Sequence, residues 1–262
     1  MKFIKRIFVR RSLYWFWRRL YCLALRGIGV LNYESPRLSG EEHFLKEYLG
    51  SLVERRPVVL DVGANDGSYV SLVRSIRPHA VVYAFEPHPD TYERLRKNVG
   101  DAGVTCFNFG FGDKEGSERL YDYANSDGTA HASLYSEVFK DIHKADAISH
   151  DVRLRTLDDF VREYGVKQID LLKLDTEGNE FKILQGARRA IAYGVVRAIH
   201  FEFNEMNIVS GSTFKQFVDL LSDYSLYRML PDGLVKLDYS PIDCEIYAYQ
   251  NIVAVRNPGR SA

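Results

Sequence analysis

From Val58 onward, short apolar runs alternate with amphipathic segments, and this alternation restricts the fold more than any other feature of the chain. Val58–Val62 and Val81–Phe85 have the length and composition of buried strands, and Ser68–Ile76 between them has a helical pattern that Pro78 ends. Later runs predict strands near residues 104–109, 170–174, 196–203, 225–230 and 250–255. Helices are predicted near residues 90–99, 157–164, 180–193 and 213–222.

This order of elements predicts an α/β fold built on a doubly wound, mostly parallel, seven-stranded sheet with helices on both faces. Because no strong helix separates the last two strands, we expect them to form an antiparallel hairpin at one edge. Ligands of such sheets bind beyond the carboxyl ends of the strands, so the residues that follow each strand are the first candidates for function.

Residues 113–153 interrupt the alternation. They are polar, with candidate strands near residues 119–123 and 151–154, and a structureless loop of this length would be unusual in a compact domain. We therefore interpret them as an insertion that covers an active site. The predicted organisation is an N-terminal arm and linker over residues 1–40, followed by one domain over residues 41–258 that contains the insertion.

The arm differs from the rest of the chain in charge. Its first 33 residues hold eight Lys or Arg and no acid, which leaves 27 basic against 35 acidic residues in the body. An acidic body argues against nucleic acid as a partner. One hypothesis is that residues 1–30, which mix aromatic and basic side chains, lie on an anionic membrane surface. The alternative is a helix packed on its own body or on a partner in a homodimer.

The arm does not predict a membrane span, because Arg26 interrupts its apolar stretch from Leu20 to Leu31, which is shorter than the roughly 20 residues required. The cysteines, Cys22, Cys106 and Cys244, are scattered and favour neither a disulfide framework nor a zinc site. We expect a reducing, cytoplasmic location. Within it, attachment to the inner face of the cytoplasmic membrane is one alternative.

Two strand ends predict a nucleoside site. The first strand runs into the small-residue loop Gly63-Ala64-Asn65-Asp66-Gly67, which allows a tight turn and a close approach of backbone to ligand. Glu86 ends the second strand, 25 residues after Asp61 in the printed sequence, where a carboxylate can accept hydrogen bonds from ribose hydroxyls. A simple tight turn and a helix-capping acid are the alternative interpretations.

The loop also bears on which nucleoside cofactor is expected. A dinucleotide site requires glycines around a pyrophosphate, whereas Asp66 would repel phosphate. S-adenosylmethionine has no phosphate and carries a cationic sulfonium, so acids near the loop are tolerated. The pattern favours methyl transfer over hydride transfer, although a nicotinamide-dependent oxidoreductase stays an alternative.

Carboxylates also follow the two later strands. Asp175 and Glu177 come after the strand at 170–174, and Glu202 lies near the end of the next one. We expect Asp175 at the lip of the sheet as a general base, with Glu202 close by, while Glu180 starts the following helix. A divalent metal at these carboxylates, or a water-filled polar rim, is the alternative; our preferred prediction includes no metal.

Six collinear segments carry a family resemblance. They are LDVGANDGSYV (60–70), VYAFEPHPDTYERLRKNV (82–99), NFGFGDKEGSERLY (108–121), RTLDDFV (155–161), IDLLKLDTEGNEFKILQGA (169–187) and NIVAV (251–255). Together they resemble the FkbM family of methyltransferases over residues 55 to 255. The resemblance implies a class I, Rossmann-like methyltransferase fold, S-adenosylmethionine as cofactor, and O-methylation of a hydroxyl, often on a sugar or a natural product.

The resemblance also implies residue roles. The cofactor-binding residues it indicates are Asp61, Gly63, Ala64, Asn65, Gly67, Glu86, Gly110 and Asp175. The catalytic candidates are Asp175, Glu177 and Glu202. Gly110 stands where we expect Ala, a departure that should only loosen the adenine pocket, and the N-terminal arm lies outside the family pattern.

We therefore expect an O-methyltransferase that acts on a hydroxyl of a sugar in a glycan or glycolipid. Methylation of a small natural product, and a non-catalytic cofactor-binding module in a glycan-assembly complex, are the alternatives. His131 and His200 are further candidate bases, and Ser133 is a candidate substrate contact. The tyrosines of the insertion, Tyr121, Tyr123 and Tyr135, suit carbohydrate, although a packed flap would look similar.

Overall fold

A computed structural model describes residues 8–53, 56–100, 103–124, 128–129 and 132–259. Its main sheet has eight strands, which are β1 (Val58–Val62), β2 (Val81–Phe85), β3 (Val104–Phe107), β7 (Leu171–Leu174), β8 (Ala198–Phe203), β9 (Tyr224–Leu230), β10 (Gly233–Lys236) and β11 (Gln250–Arg256). A smaller sheet contains β4 (Gly110–Phe111), β5 (Gly116–Tyr123) and β6 (Ala147–Arg155), in the order β4-β6-β5.

The main sheet has the strand order β10-β9-β11-β8-β7-β1-β2-β3. The neighbouring strands β3, β2, β1, β7 and β8 are parallel, and β11 is antiparallel to both of its neighbours, β8 and β9, so β9 again runs in the direction of β8. The predicted doubly wound, mostly parallel sheet is therefore confirmed, and its last two predicted strands are antiparallel neighbours. An eighth strand, β10, was not predicted: after the two-residue turn Pro231-Asp232, the chain folds back on β9 and forms the edge hairpin.

Helices cover both faces of the sheet. They are α1 (Tyr14–Gly27), α2 (Pro36–Ser39), α3 (Glu41–Ser51), α4 (Ser68–Ile76), α5 (Pro89–Val99), α6 (Leu157–Glu163), α7 (Glu180–Gln185), α8 (Arg188–Ala192), α9 (Met206–Ser210), α10 (Phe214–Leu220) and α11 (Pro241–Cys244). A 3-10 turn at Arg11–Leu13 precedes α1, and a π-helical segment, Val138–His143, lies between β5 and β6.

The core has one layer on each side of the sheet, because successive residues of a strand point to opposite faces. Leu60 and Val62 of β1 join a large aromatic layer that includes Phe85. Val59 joins the other layer with Leu45 of α3. Both faces of β1 are therefore buried, which explains why its sequence is a continuous apolar run apart from Asp61.

The single helix predicted over 180–193 is two helices. A Cβ atom at Gly186 would lie 2.1 Å from the carbonyl oxygen of Gly112, so the chain approaches the backbone of the smaller sheet at the break. The second helix, α8, then begins where the carboxylate of Asp158 accepts hydrogen bonds from the N–H groups of Arg189 and Ala190. The pattern of apolar residues alone could not predict this interruption.

The end of the N-terminal arm is attached to the domain. Val30 forms an antiparallel bridge with Gln250, and the N–H of Leu31 donates to the carbonyl oxygen of Tyr249 at 2.7 Å. The end of the predicted arm and linker contains the short helix α2, which Ser35 caps. None of the helices in the described part of the chain is long and apolar enough to cross a membrane.

Candidate functional site

Three adjoining pockets lie at the carboxyl ends of β1, β2, β7 and β8. We call them the central cleft, which spans Gly63, Glu86 and Asp175, the arm cleft, which spans Arg37, Asp61 and Asp175, and the acidic pocket, which spans Tyr33, Glu177 and Glu202. The central cleft contains about 580 Å³ of space, which includes the part that is open to solvent. Asp175 lines all three pockets, so groups bound in them would meet there.

The loop after β1 has the conformation that its small residues predicted. Gly63 has φ +82°, and a Cβ atom there would lie 1.8 Å from the carbonyl oxygen of Asp175. Asn65 also has positive φ, at 46°, which is uncommon for a residue with a side chain. The N–H groups of Gly63 and Ala64 both donate to the carbonyl oxygen of Phe85. The loop is therefore held against both neighbouring strands with its backbone facing the cleft.

Gly67 has a different position from the other loop residues. It is the N-cap of α4, and a Cβ atom there would lie 2.4 Å from Val99 of α5. It is not among the residues that line the three pockets in the described part of the chain. The contribution of Gly67 is thus to let two helices pack closely behind the loop.

Glu86 lies at the bottom of the central cleft and is almost fully buried. One carboxylate oxygen accepts the N–H of Asn65 at 3.0 Å, and the other accepts the N–H of His88 at 2.8 Å. Burial raises the pKa of Glu86 to about 7, although these two hydrogen bonds oppose the shift. A carboxylate offers about four acceptor positions, so about two stay available to hydroxyl groups of a ligand.

Asp61 and Lys173 are two buried ionisable residues beside the arm cleft. They are partners across the parallel strands β1 and β7. The Oδ2 atom of Asp61 is buried without a hydrogen-bond partner, and burial raises the pKa of this carboxyl to about 7 even though Lys173 lowers it. An unpartnered buried acceptor is costly unless a ligand donates to it.

Lys173 is surrounded by carboxylates. Its Nζ lies 3.3 Å from Asp175, 3.5 Å from Glu41 and 3.8 Å from Glu202. Burial acts to lower the pKa of Lys173, but these three carboxylates together raise it well above its usual value. The ammonium group therefore stays charged. Its contacts with both Asp175 and Glu202 explain how these two carboxyl groups lie close together, as predicted.

Glu202 differs from Asp175 in its environment. Burial, followed by the charge of Asp175, raises the pKa of Glu202 well above its usual value. The side chain of Asp175 is 37% exposed and lies at the junction of the pockets. Of these two catalytic candidates, Asp175 is the better placed to accept a proton.

The segment from Asp175 to Glu180 is organised by its own side chains. Glu180 begins α7, as predicted, and its buried carboxylate accepts the N–H groups of Thr176 and Gly178. Glu177 has a left-handed φ of 50° and lines both the central cleft and the acidic pocket. Its carbonyl oxygen accepts the hydroxyl of Ser133 at 2.8 Å. The fully buried Ser133 therefore supports Glu177, and the hypothesis that Ser133 contacts substrate is wrong.

The smaller sheet closes one side of the central cleft. Leu120, Leu134 and Leu154 line it there, opposite Gly63 and Asp175. The expectation that Gly110 loosens the pocket is wrong, because a Cβ atom at Gly110 would lie 2.9 Å from the Cδ2 atom of Leu154. Leu154 already fills the space that an alanine side chain would occupy.

The remaining sequence candidates lie outside the pockets or outside the described residues. His200 is fully buried and interacts with Asn251 at 3.0 Å, and burial lowers its pKa well below the usual value, so its function is structural. His131 lies outside the described residues. The insertion tyrosines are partly buried and pack around Phe139 and Met206, as expected of a packed flap. Among the described residues, no group of three or more potential ligands could hold a metal ion.

Several residues of the site were not predicted. Lys173 is the one polar residue within the buried strand β7, and this position was a signal that the sequence offered. Glu41, Arg37 and Tyr33 come from the end of the arm and from α3, which pack against the sheet from distant positions in the chain. No spacing within the sequence indicates that contact.

The sheet order, the glycine loop after β1 and the acid that ends β2 define a class I methyltransferase. Residues 61–226 match the Methyltransferase FkbM domain, and the chain belongs to this family of enzymes, which transfer methyl groups.

The chain is similar to three named relatives. It is 30% identical to 2-O-methyltransferase NoeI of Sinorhizobium fredii over 70% of this chain and 79% of that protein. It is 26% identical to hexuronic acid methyltransferase AglP of Haloferax volcanii over 72% of this chain and 71% of that protein. It is 29% identical to 31-O-demethyl-FK506 methyltransferase FkbM of Streptomyces tacrolimicus over 58% of this chain and 71% of that protein.

Proposed function

We propose that the chain transfers a methyl group from S-adenosylmethionine to a hydroxyl oxygen of a sugar. The observation that supports this most strongly is that the central cleft and the acidic pocket share Asp175 and Glu177 as a common wall. Two reactants in adjoining pockets are held close together and oriented, which is the main requirement of a methyl transfer.

The residues of the site fit this cofactor. In the proposal, the free acceptor positions of Glu86 take the ribose hydroxyls, and the unpartnered Oδ2 of Asp61 takes the ammonium group of the amino-acid tail. Gly110 and Leu154 border the adenine. Arg37, in the arm cleft that also contains Asp61, is placed for the carboxylate of the tail.

Asp175 is the proposed general base. When bound, S-adenosylmethionine would supply a methyl group on a cationic sulfonium for transfer to the acceptor oxygen, with S-adenosylhomocysteine as the leaving group. Asp175 would take the hydroxyl proton. The ammonium of Lys173, 3.3 Å away, keeps the Asp175 carboxylate in position for this transfer.

Transfer of labelled methyl groups from S-adenosylmethionine to a glycan extract tests the proposal. Wild-type protein should label the extract, and Asp175→Asn should lower the rate by about a hundredfold while S-adenosylhomocysteine still binds. Asp219→Asn, on the exposed face of α10, is the matched control and should keep full activity. Binding without transfer to any acceptor would instead favour the non-catalytic module. Transfer to small natural products but not to glycans would favour the alternative that the relative FkbM suggests.

We also propose that the arm holds the enzyme on an anionic membrane surface. At 100° per residue, Arg18, Arg19 and Arg26 of α1 lie within a sector of about 100°, and Phe16, Leu20 and Leu23 lie within an adjoining sector of about 60°. These three apolar side chains are between 44% and 67% exposed, and only Leu25 of α1 is buried. Such a helix, with an exposed apolar sector beside a basic one, suits an interfacial position.

Sedimentation with vesicles tests the membrane proposal. Wild-type protein should sediment with vesicles that contain phosphatidylglycerol and much less with vesicles of phosphatidylcholine alone. Phe16→Ser/Leu20→Ser should abolish sedimentation, whereas Tyr193→Ser, which changes an exposed aromatic residue elsewhere, should not. Wild-type protein that stays in the supernatant and forms dimers through the arm would overturn the proposal.

A further inference from the structure

The acidic pocket has a composition that none of the similarities explains. It is about 1080 Å³ in volume and open to solvent, and it meets the central cleft at Asp175 and Glu177. If the central cleft binds the methyl donor, as proposed above, the acidic pocket is the space from which an acceptor hydroxyl can reach the methyl group. The side chains of this pocket then determine which acceptor molecules can bind.

The charge of the pocket has one sign. Asp175, Glu177, Glu202 and Glu205 contribute four carboxyl groups, and no Lys, Arg or His is among its lining residues in the described part of the chain. The ammonium group of Lys173 lies 3.3 Å from Asp175 and 3.8 Å from Glu202, but this side chain is only 2% exposed and does not line the pocket. An anionic group in this pocket would therefore meet carboxyl groups and no cationic side chain among the described lining residues.

One wall of the pocket is aromatic and combines Tyr33 of the arm with Tyr249, which precedes β11. The rings of Tyr33 and Tyr249 are 6.0 Å apart in an edge-to-face arrangement, and Tyr33 is 62% exposed. The bridge between Val30 and Gln250 fixes the arm beside this wall. The exposed ring of Tyr33, in a pocket that also holds the side-chain oxygens of Glu202 and Asn204, is suited to a polyhydroxylated ring.

We propose that the acidic pocket binds the acceptor as a neutral or amino sugar and rejects a sugar that carries a carboxylate, phosphate or sulfate. Carboxyl groups accept hydrogen bonds from hydroxyls and pair with an ammonium group, and they repel anions. The chain would then differ in acceptor from the relative named as a hexuronic acid methyltransferase. This inference rests on the proposed function.

Three matched probes, methyl glucoside, methyl glucosaminide and methyl glucuronide, test the inference. We would measure their binding to the full chain by saturation-transfer NMR with S-adenosylhomocysteine present. The glucuronide should bind about tenfold more weakly than the glucosaminide or worse. Tyr33→Ala should weaken the glucoside and glucosaminide without changing the affinity for S-adenosylhomocysteine.

A charge-reversal substitution shows whether the preference among these sugars depends on the charge of the pocket or on its shape. Glu205→Lys should reduce the preference for the glucosaminide over the glucuronide to about threefold or less. Glu93→Lys, on the exposed surface of α5, should leave the preference unchanged. Equal or tighter binding of the glucuronide to wild-type protein, or no binding of the other two probes, would overturn the inference. Failure of S-adenosylhomocysteine itself to bind would instead contradict the proposed function.

Discussion

At the scale of single residues, the site keeps an unfavourable backbone conformation at Glu177. A residue with a side chain pays about 1–2 kcal/mol in the left-handed region, and Glu177 has φ 50°. The hydroxyl of Ser133 and the carboxylate of Glu180 hold this segment in place. Such a conformation at the junction of two pockets is consistent with a position selected for function rather than stability.

The substitution Glu177→Gly separates the contribution of Glu177 to function from its effect on stability. Glycine adopts positive φ without strain, so the free energy of unfolding should stay constant or rise by up to about 1 kcal/mol, while methyl transfer should fall by about tenfold or more. Lys144→Gly, at a second left-handed position with φ 55°, is the control and should change stability similarly with no loss of activity. Urea unfolding and a transfer assay measure both effects. Equal activities of the two variants would argue against a function for Glu177.

The sequence predicted the position of single residues well where a strand delivers them. Gly63, Glu86 and Asp175 line one cleft because the carboxyl ends of β1, β2 and β7 meet at one edge of the sheet. The sequence could not indicate that the Oδ2 atom of Asp61 lacks a partner or that Leu154 fills the space beside Gly110. Those facts depend on side chains brought together from distant elements.

At the scale of elements, the boundaries of β1, α4 and β2 agree with the prediction, since each combines a clear apolar period with a turn residue at its end. The hydroxyl of Thr156 caps α6 directly before its predicted start. The helix α5 begins at Pro89, one residue before its predicted start, and the side chain of His88 caps it. Elements that depend on tertiary contact, such as β10 and the break before α8, were not predictable.

The pairing of β4 with β6 leads to a prediction about stability. Gly110 lies opposite Leu154, so Gly110→Ala should force the leucine side chain to move and lower the free energy of unfolding by about 1–2 kcal/mol. Adding Leu154→Val should recover part of the loss, with a coupling of about 0.5 kcal/mol or more in a double-mutant cycle. Gly116→Ala has open space around it and serves as the control. Strictly additive effects would contradict the contact.

At the scale of the whole molecule, the fold buries three carboxyl groups in and around the proposed site. Burial raises the pKa of Asp61, Glu86 and Glu180 to about 7. Between the unfolded pKa near 4 and the folded pKa near 7, the folded state binds more protons than the unfolded state. The free energy of unfolding without ligand should therefore fall as the pH rises through this window and level off above it.

Glu86→Gln tests this pH dependence. A shift of about 2.5 pKa units corresponds to up to about 3 kcal/mol, so the variant should lose less stability than wild-type protein between pH 5 and pH 8, by about 1–3 kcal/mol. Glu93→Gln, whose side chain is 57% exposed, should follow the wild-type curve. Urea unfolding at both pH values gives the comparison. A steeper loss for Glu86→Gln would reverse the sign and contradict the assignment.

The central claim is that the loop after β1 and the acid that ends β2 form a site for S-adenosylmethionine. Calorimetric titration of the full chain with S-adenosylhomocysteine tests it most directly. The account predicts saturable binding at one site, which Glu86→Ala and Asp61→Ala abolish and Glu93→Ala preserves, with no binding of reduced nicotinamide dinucleotide. Unchanged affinity in both site variants, or binding of the nicotinamide dinucleotide in place of S-adenosylhomocysteine, would contradict it.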